Sequence, residues 1–159
     1  MIDGIQIAFV GDLKNGRTIR SLAYLLGKYK NIRIYFVSPQ ELKVGDDIKK
    51  YLKKHRVSYS ETENLEDIIS YIDVLYQTRI QKERFESEKE YKKFKGCYQL
   101  NSKLVDKMKT KSIIMHPLPR VDEISTEVDA TPHARYFQQV WNGVVVRMAL
   151  LALVLGAVK

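Results

Sequence analysis

Two arginines stand where they could grip an acidic ligand. Arg17 belongs to the segment Gly11-Asp12-Leu13-Lys14-Asn15-Gly16-Arg17-Thr18, and Arg79 to Thr78-Arg79-Ile80-Gln81-Lys82-Glu83-Arg84. A guanidinium is a planar fork of donors that pairs bidentately with a carboxylate, so two of them suit a dicarboxylate held at both ends. Arg17 sits where a helical pattern begins, and a helix N-terminus also favours anions. Gln81 lies two residues beyond Arg79 and faces a similar way. A third segment, His116-Pro117-Leu118-Pro119-Arg120, is a stiff turn. Proline has no N–H, so a strand ladder stops there and leaves carbonyls free for an amine or amide. Each feature also has a plainer explanation: structural salt bridges for the arginines, strand termination for the prolines.

Other chemistries fit less well. The first segment matches G-x-x-x-x-G-[KR]-[ST], the pattern of a phosphate loop. Such a loop needs compact residues, whereas Asp12 brings a negative charge, Leu13 and Lys14 are bulky, and Arg17 replaces the usual lysine. The dinucleotide pattern G-x-G-x-x-G is absent. His55, His116 and His133 are not spaced as metal ligands, and Cys97 has no second cysteine to join it, so neither metal nor cofactor is expected. No serine or cysteine nucleophile is framed by a histidine and an acid.

The elements that must carry these segments alternate. Strand patterns at Ile5–Val10, Ile32–Val37, Val57–Ser60, Ile72–Tyr76 and Ser112–Met115 are interleaved with helical ones. The helices are expected over Thr18–Tyr29, Asp46–His55, Leu65–Ile69 (with Asn64 as N-cap), Ser102–Met108 and Gln138–Val158, and Gln81–Gly96 reads as loop plus helix. This predicts an α/β fold: a three-layer α/β/α sandwich around a doubly wound parallel sheet of about five strands, in the expected order 3-2-1-4-5. Ligands of such sheets bind beyond the carboxyl ends of the strands. The segments after strands one, four and five, which hold the candidate residues, are therefore expected to converge.

With 159 residues, the chain reads as one domain over 1–159, long enough to bury a full core. A single cysteine excludes an internal disulfide and favours a reducing, cytoplasmic setting. No secretory signal is read at the N-terminus, and the apolar run Met148–Val158 is too short to cross a bilayer. The net charge of +8 raises nucleic-acid binding. However, the lysines cluster at Lys49, Lys50, Lys53 and Lys54, and at Lys89, Lys92, Lys93 and Lys95, with helical spacing and nearby acids. That is the pattern of solvated helix faces, so neither nucleic acid nor membrane is expected as a partner.

Taken together, the segments resemble the second domain of aspartate carbamoyltransferases over nearly the whole chain. Gly11–Thr18 is similar to that family's G-D-L-K-x-G-R-T, Thr78–Arg84 to its T-R-[IV]-Q-K-E-R, and His116–Ile124 to a third signature. Tyr136-Phe137-Gln138-Gln139 and Arg147–Leu155 resemble its C-terminal helix. Related ornithine enzymes carry cysteine after the histidine, where Pro117 stands here, and paired arginines would repel a cationic ligand. The resemblance implies that Arg17 and Arg79 hold the carboxylates of L-aspartate and that Gln81 orients it. It implies that the carbonyls of Leu118 and Pro119 bind the carbamoyl group of carbamoyl phosphate, and that Lys14 and Glu90 help hold a closed state. Asn15 stands where the family often has tyrosine, and Arg20 where it often has histidine.

The family's first domain supplies the phosphate-binding motif S-T-R-T and a second signature, H-P-x-Q, and neither occurs here. The expectation is therefore an aspartate-binding domain, a piece of a longer enzyme or polyprotein, inactive until joined to a carbamoyl-phosphate-binding domain. The full-length enzyme is expected to be a homotrimer. The alternative is a non-catalytic scaffold or assembly module derived from that domain. In a chain without the first domain, Leu151, Val154 and Leu155 are expected to be partly bare.

Overall fold

Apolar and β-branched runs build the strands. In a computed structural model, which describes residues 2–157, β1 (Gln6–Val10), β2 (Arg33–Val37), β3 (Ser58–Thr62), β4 (Val74–Gln77) and β5 (Ile113–Met115) form one parallel sheet. The order is β3-β2-β1-β4-β5, as expected. Chain direction reverses its growth at β1, so β1 and β4 are neighbours with Val10 opposite Gln77. Arg17 and Arg79 thus follow adjacent strand ends.

The central strand faces two cores. Ile7 and Phe9 point into one, with Ile19 and Ala23 of α1 (Arg17–Leu26) and Ile48 and Leu52 of α2 (Asp46–Lys54). Ala8 and Val10 point into the other, with Ile69, Leu100, Ile114 and Tyr136. Alternation along β1 therefore makes both faces apolar, the mark of a sheet covered on each side. On α1, Ile19, Ala23 and Leu26 lie four and three residues apart and form the buried stripe.

The second face is covered by less regular chain. α3 (Glu88–Lys92) and α4 (Ser102–Val105) are short. Leu65–Ile69, expected to be a helix, is a set of turns. So short a segment has little helical stability of its own, and its packing decides its shape. Asn64 still acts at its start: its side-chain carbonyl accepts the Glu66 N–H at 3.1 Å, and the Leu65 carbonyl takes the N–H groups of Ile68 and Ile69. Leu65, Ile68 and Ile69 are buried all the same.

The last helix, α5 (Tyr136–Val154), starts two residues before the expected Gln138, because Tyr136 is the residue that anchors it in the core. It stops before Val158, which lies outside the described residues. Gly156 takes a left-handed φ of 70°, and the Ala157 N–H bonds back to the Ala152 carbonyl, a helix-terminating turn that favours glycine. At 19 residues and mean hydropathy 1.4, α5 is by length and composition long enough to cross a membrane, unlike the run Met148–Val158 taken alone. Asn142 and Arg147 lie within it. Leu151, Val154 and Leu155 are 61%, 83% and 78% exposed.

Candidate functional site

The loop after β1 is shaped by close contacts with β4. Gly11 has φ 114°, and a Cβ there would lie 2.3 Å from the Thr78 carbonyl oxygen, so only glycine fits. Thr78 answers by donating both its N–H (2.8 Å) and its hydroxyl (3.0 Å) to the Val10 carbonyl. Asp12 is fully buried and turned inward: its carboxylate accepts the Asn15 N–H at 3.0 Å and the Asn15 side-chain amide at 3.0 and 3.1 Å. Leu13 is in the core, and the N–H groups of Leu13 and Lys14 both donate to the Leu42 carbonyl. The backbone amides of Gly11, Leu13, Lys14 and Asn15 are spent inside the protein. What the loop does present is Arg17, exposed, as the first residue of α1.

Arg79 leaves β4 one residue after Thr78 and is half-buried. Its guanidinium forks onto Glu83, with Nη1 donating to Oε2 at 3.2 Å and Nη2 to Oε1. The backbone N–H of Glu83 and the Arg79 guanidinium hold the Glu83 carboxyl below the usual carboxylate range. Arg79 thus already sits in the bidentate geometry that a carboxylate ligand would use.

The three loops converge in a cleft of about 190 Å³. Arg17, Arg79, Gln81, Leu118 and Pro119 all line it, joined by Asn15, Thr18, Thr78, His116 and Pro117. No acid lies in the lining. Lys14 and Glu90 are exposed and outside it; Glu90 belongs to α3, where its N–H donates to Ser87 Oγ. Arg20 and Asn15, at the two unusual positions, are engaged by Asp47 and Asp12. A larger cleft of about 500 Å³ opens near Glu63, Glu66, Lys103 and Lys107. Its charges are partly self-neutralised by the Lys107–Glu66 pair, and neither Arg17 nor Arg79 reaches it.

The turn after β5 carries groups that the sequence reading passed over. His116 and Glu123 are 1% and 6% exposed and meet at 2.7 Å between Nε2 and Oε1. His116 Nδ1 accepts the Leu118 N–H at 2.8 Å, and Glu123 Oε2 accepts the N–H groups of Val121 and Asp122 at 3.1 and 3.2 Å. Burial opposes ionisation of Glu123, but the bonds from His116 and the backbone outweigh it and hold the carboxyl below the usual range. The only hint in the sequence was a histidine and an acid flanking a proline-rich turn. Below the turn, Arg120 grips Asp129, with Nη2 to Oδ2 at 2.6 Å, and Tyr136 donates to the same carboxylate. Burial and then the Asp129 charge push the Tyr136 phenol up to about 12. Burial raises the Tyr76 phenol above its ordinary value. Among the described residues no cluster of histidine, cysteine and acids is arranged for a metal.

An acid-free cleft with two arginines, an amide and free turn carbonyls can hold a small dianion beside an amide-bearing group. Comparison with known proteins shows which proteins the chain is similar to. Residues 3–154 match the family model for the Asp/Orn binding domain of aspartate/ornithine carbamoyltransferase. The chloroplastic aspartate carbamoyltransferase of Arabidopsis thaliana is 54% identical over 97% of this chain and 40% of its own length. The catalytic subunit from Methanocaldococcus jannaschii is 54% identical over 94% of this chain and 48% of its own length. A solved structure of the M. jannaschii catalytic subunit superposes with a TM-score of 0.87, at 54% identity, over 94% of this chain and 48% of that one. Aspartate transcarbamoylase from Trypanosoma cruzi, solved with N-(phosphonacetyl)-L-aspartic acid, gives 0.85 at 39% identity, over 95% and 49%. The chain spans about half the length of the curated relatives it matches, or less.

Proposed function

This chain belongs to the aspartate/ornithine carbamoyltransferase family, as an Asp/Orn binding domain, and from that premise we propose that it binds L-aspartate for carbamoyl transfer. In the reaction, the aspartate amine attacks the carbamoyl carbon of carbamoyl phosphate. Phosphate leaves, and N-carbamoyl-L-aspartate, an early compound of pyrimidine synthesis, is formed. The observation that carries this reading is the pair of arginines at adjacent strand ends in a cleft without an acid. Arg17 and Arg79 hold the two carboxylates, and Gln81 orients the ligand between them. The carbonyls of Leu118 and Pro119 accept from the carbamoyl NH2. Positioning and charge stabilisation supply the catalysis.

Carbamoyl phosphate requires a second, phosphate-binding domain, so this chain by itself is inactive in our reading. Lys14 and Glu90, outside the cleft, act in closing it rather than in touching aspartate. The full-length enzyme is a homotrimer, and the setting is the cytoplasm, in keeping with a single free thiol at Cys97.

The test is an NMR titration of the labelled chain with L-aspartate, with L-ornithine as control. Shifts at Arg17, Arg79 and Gln81 with aspartate alone are expected, and their loss in Arg79→Ala. Truncating one partner of a charged hydrogen-bonded pair costs about 2–5 kcal/mol, enough to remove weak binding. No shift at high aspartate would defeat the reading of a preformed half-site and leave the scaffold as the better account.

A further inference from the structure

We propose that His116 is a positioning residue: as a neutral imidazole protonated at Nε2, it pins the turn that presents the carbamoyl-binding carbonyls. The proposal rests on the reading above for what that turn contacts, but its geometry stands independently.

The tautomer follows from the partners. Leu118 donates its backbone N–H to His116 Nδ1 at 2.8 Å, so Nδ1 is an acceptor and carries no proton. Nε2, 2.7 Å from a buried carboxylate, must then be the donor. Glu123 in turn is saturated: one oxygen takes the imidazole, the other the N–H groups of Val121 and Asp122. The main chain is also held, because the His116 backbone N–H donates to Gln139 Oε1 on α5 at 3.0 Å. Every polar group of His116 that could wander is engaged, in a site from which water is excluded.

What this fixing achieves is seen at Leu118. Its φ is 51°, a left-handed conformation that a branched side chain rarely adopts and that local sequence does not favour. The imidazole lone pair holds the N–H of the Pro117–Leu118 peptide, and therefore fixes that peptide plane and the Pro117 carbonyl on its far side. The Leu118 carbonyl follows through the φ and ψ of that one residue. Without an acceptor at Nδ1, the N–H loses its partner and the left-handed residue loses what offsets its cost. The turn would then relax, and the carbonyls that line the cleft would lose their aim.

Two substitutions separate the two ends of the ring. Asparagine places its oxygen close to the position of Nδ1, so His116→Asn keeps the acceptor for Leu118 and gives up Glu123. Glutamine places its nitrogen close to the position of Nε2, so His116→Gln keeps Glu123 and gives up the acceptor. Both remove the ring, so a merely structural role predicts similar behaviour for the two.

The experiment is amide hydrogen exchange of this chain at Leu118, with nitrogen-resolved NMR of the His116 ring. In the parent, Nδ1 is expected to be bare and Nε2 protonated. Exchange at Leu118 should rise about fivefold in His116→Gln, as for the loss of one hydrogen bond, and stay close to the parent in His116→Asn. Titration adds a functional arm: the preference for N-carbamoyl-L-aspartate over L-aspartate should fall about as much in His116→Gln as the exchange rises. A proton on Nδ1, or equal exchange at Leu118 in both variants, overturns the proposal. If neither ligand binds the parent chain, it is the half-site reading that fails, and exchange and tautomer still decide the role of His116.

Discussion

At the scale of residues, the cleft sets Arg17 and the Glu83-paired Arg79 beside the buried His116–Glu123 pair. The placement of Arg17 and Arg79 in one cleft was legible in the sequence, because residue type and position after a strand can be read from a pattern. Glu123 was not, because its importance comes from folding: seven residues separate it from His116, and only the turn brings them together in the dry interior. Its depressed pKa has a measurable consequence. The folded carboxyl titrates below the ordinary glutamate value of about 4.3, so the unfolded chain binds the proton more tightly. The stability that Glu123 contributes is complete above that unfolded value and is lost as pH falls through the lower folded one. Glu123→Gln should therefore be less stable than the parent at neutral pH, with the gap narrowing steadily on acidification. Urea unfolding across a pH series checks this, and a gap independent of pH would assign the loss to packing alone.

At the scale of elements, the sheet was readable nearly strand for strand, since β-branched runs bounded by Gly11-Asp12, Ser38-Pro39 and His116-Pro117 leave little choice. The failures lie where the chain is short or where tertiary contacts choose the boundary. The residues Leu65–Ile69 have helical spacing but form turns, as their buried side chains pack against the sheet. α5 begins at Tyr136 because the phenol finds Asp129 and Arg120, neither of which helical periodicity can reveal. The junction of β1 and β4 makes the strictest demand. Replacing Gly11 with alanine forces a Cβ to within 2.3 Å of the Thr78 carbonyl oxygen and a positive φ on a residue that resists it. We expect Gly11→Ala to cost about 3 kcal/mol in denaturant unfolding and to disturb Thr78 and Arg79 in NMR spectra. A loss below about 0.5 kcal/mol would mean the two strand ends are free to part.

At the scale of the whole molecule, α5 is out of balance with the rest. Trp141, Met148, Leu151 and Val154 are each more than 60% exposed, on a helix that touches the core mainly through its first turn. Exposed apolar area of this kind favours association in water. The weight-average mass of this chain in sedimentation velocity is expected to rise with concentration. Replacing Trp141 and Leu151 with glutamine should suppress the rise without altering the signals of the cleft. A single monomeric species of the parent at high concentration would show that the helix finds cover within its own molecule.

The separation between the core and the cleft has a consequence for how such a domain changes its ligand over evolution. The lining residues come from loops beyond strand ends and from the first turn of α1, and the contacts that keep those ends together, Gly11 against Thr78 and Thr78 against Val10, involve backbone atoms on at least one side. Arg17, Arg79 and Gln81 are outside both hydrophobic cores, so substitutions there leave the cores untouched. The sheet can therefore drift between an anionic and a cationic amino acid by small steps in its loops, each passing through a folded intermediate. A family whose members divide between aspartate and ornithine is what that freedom would be expected to produce.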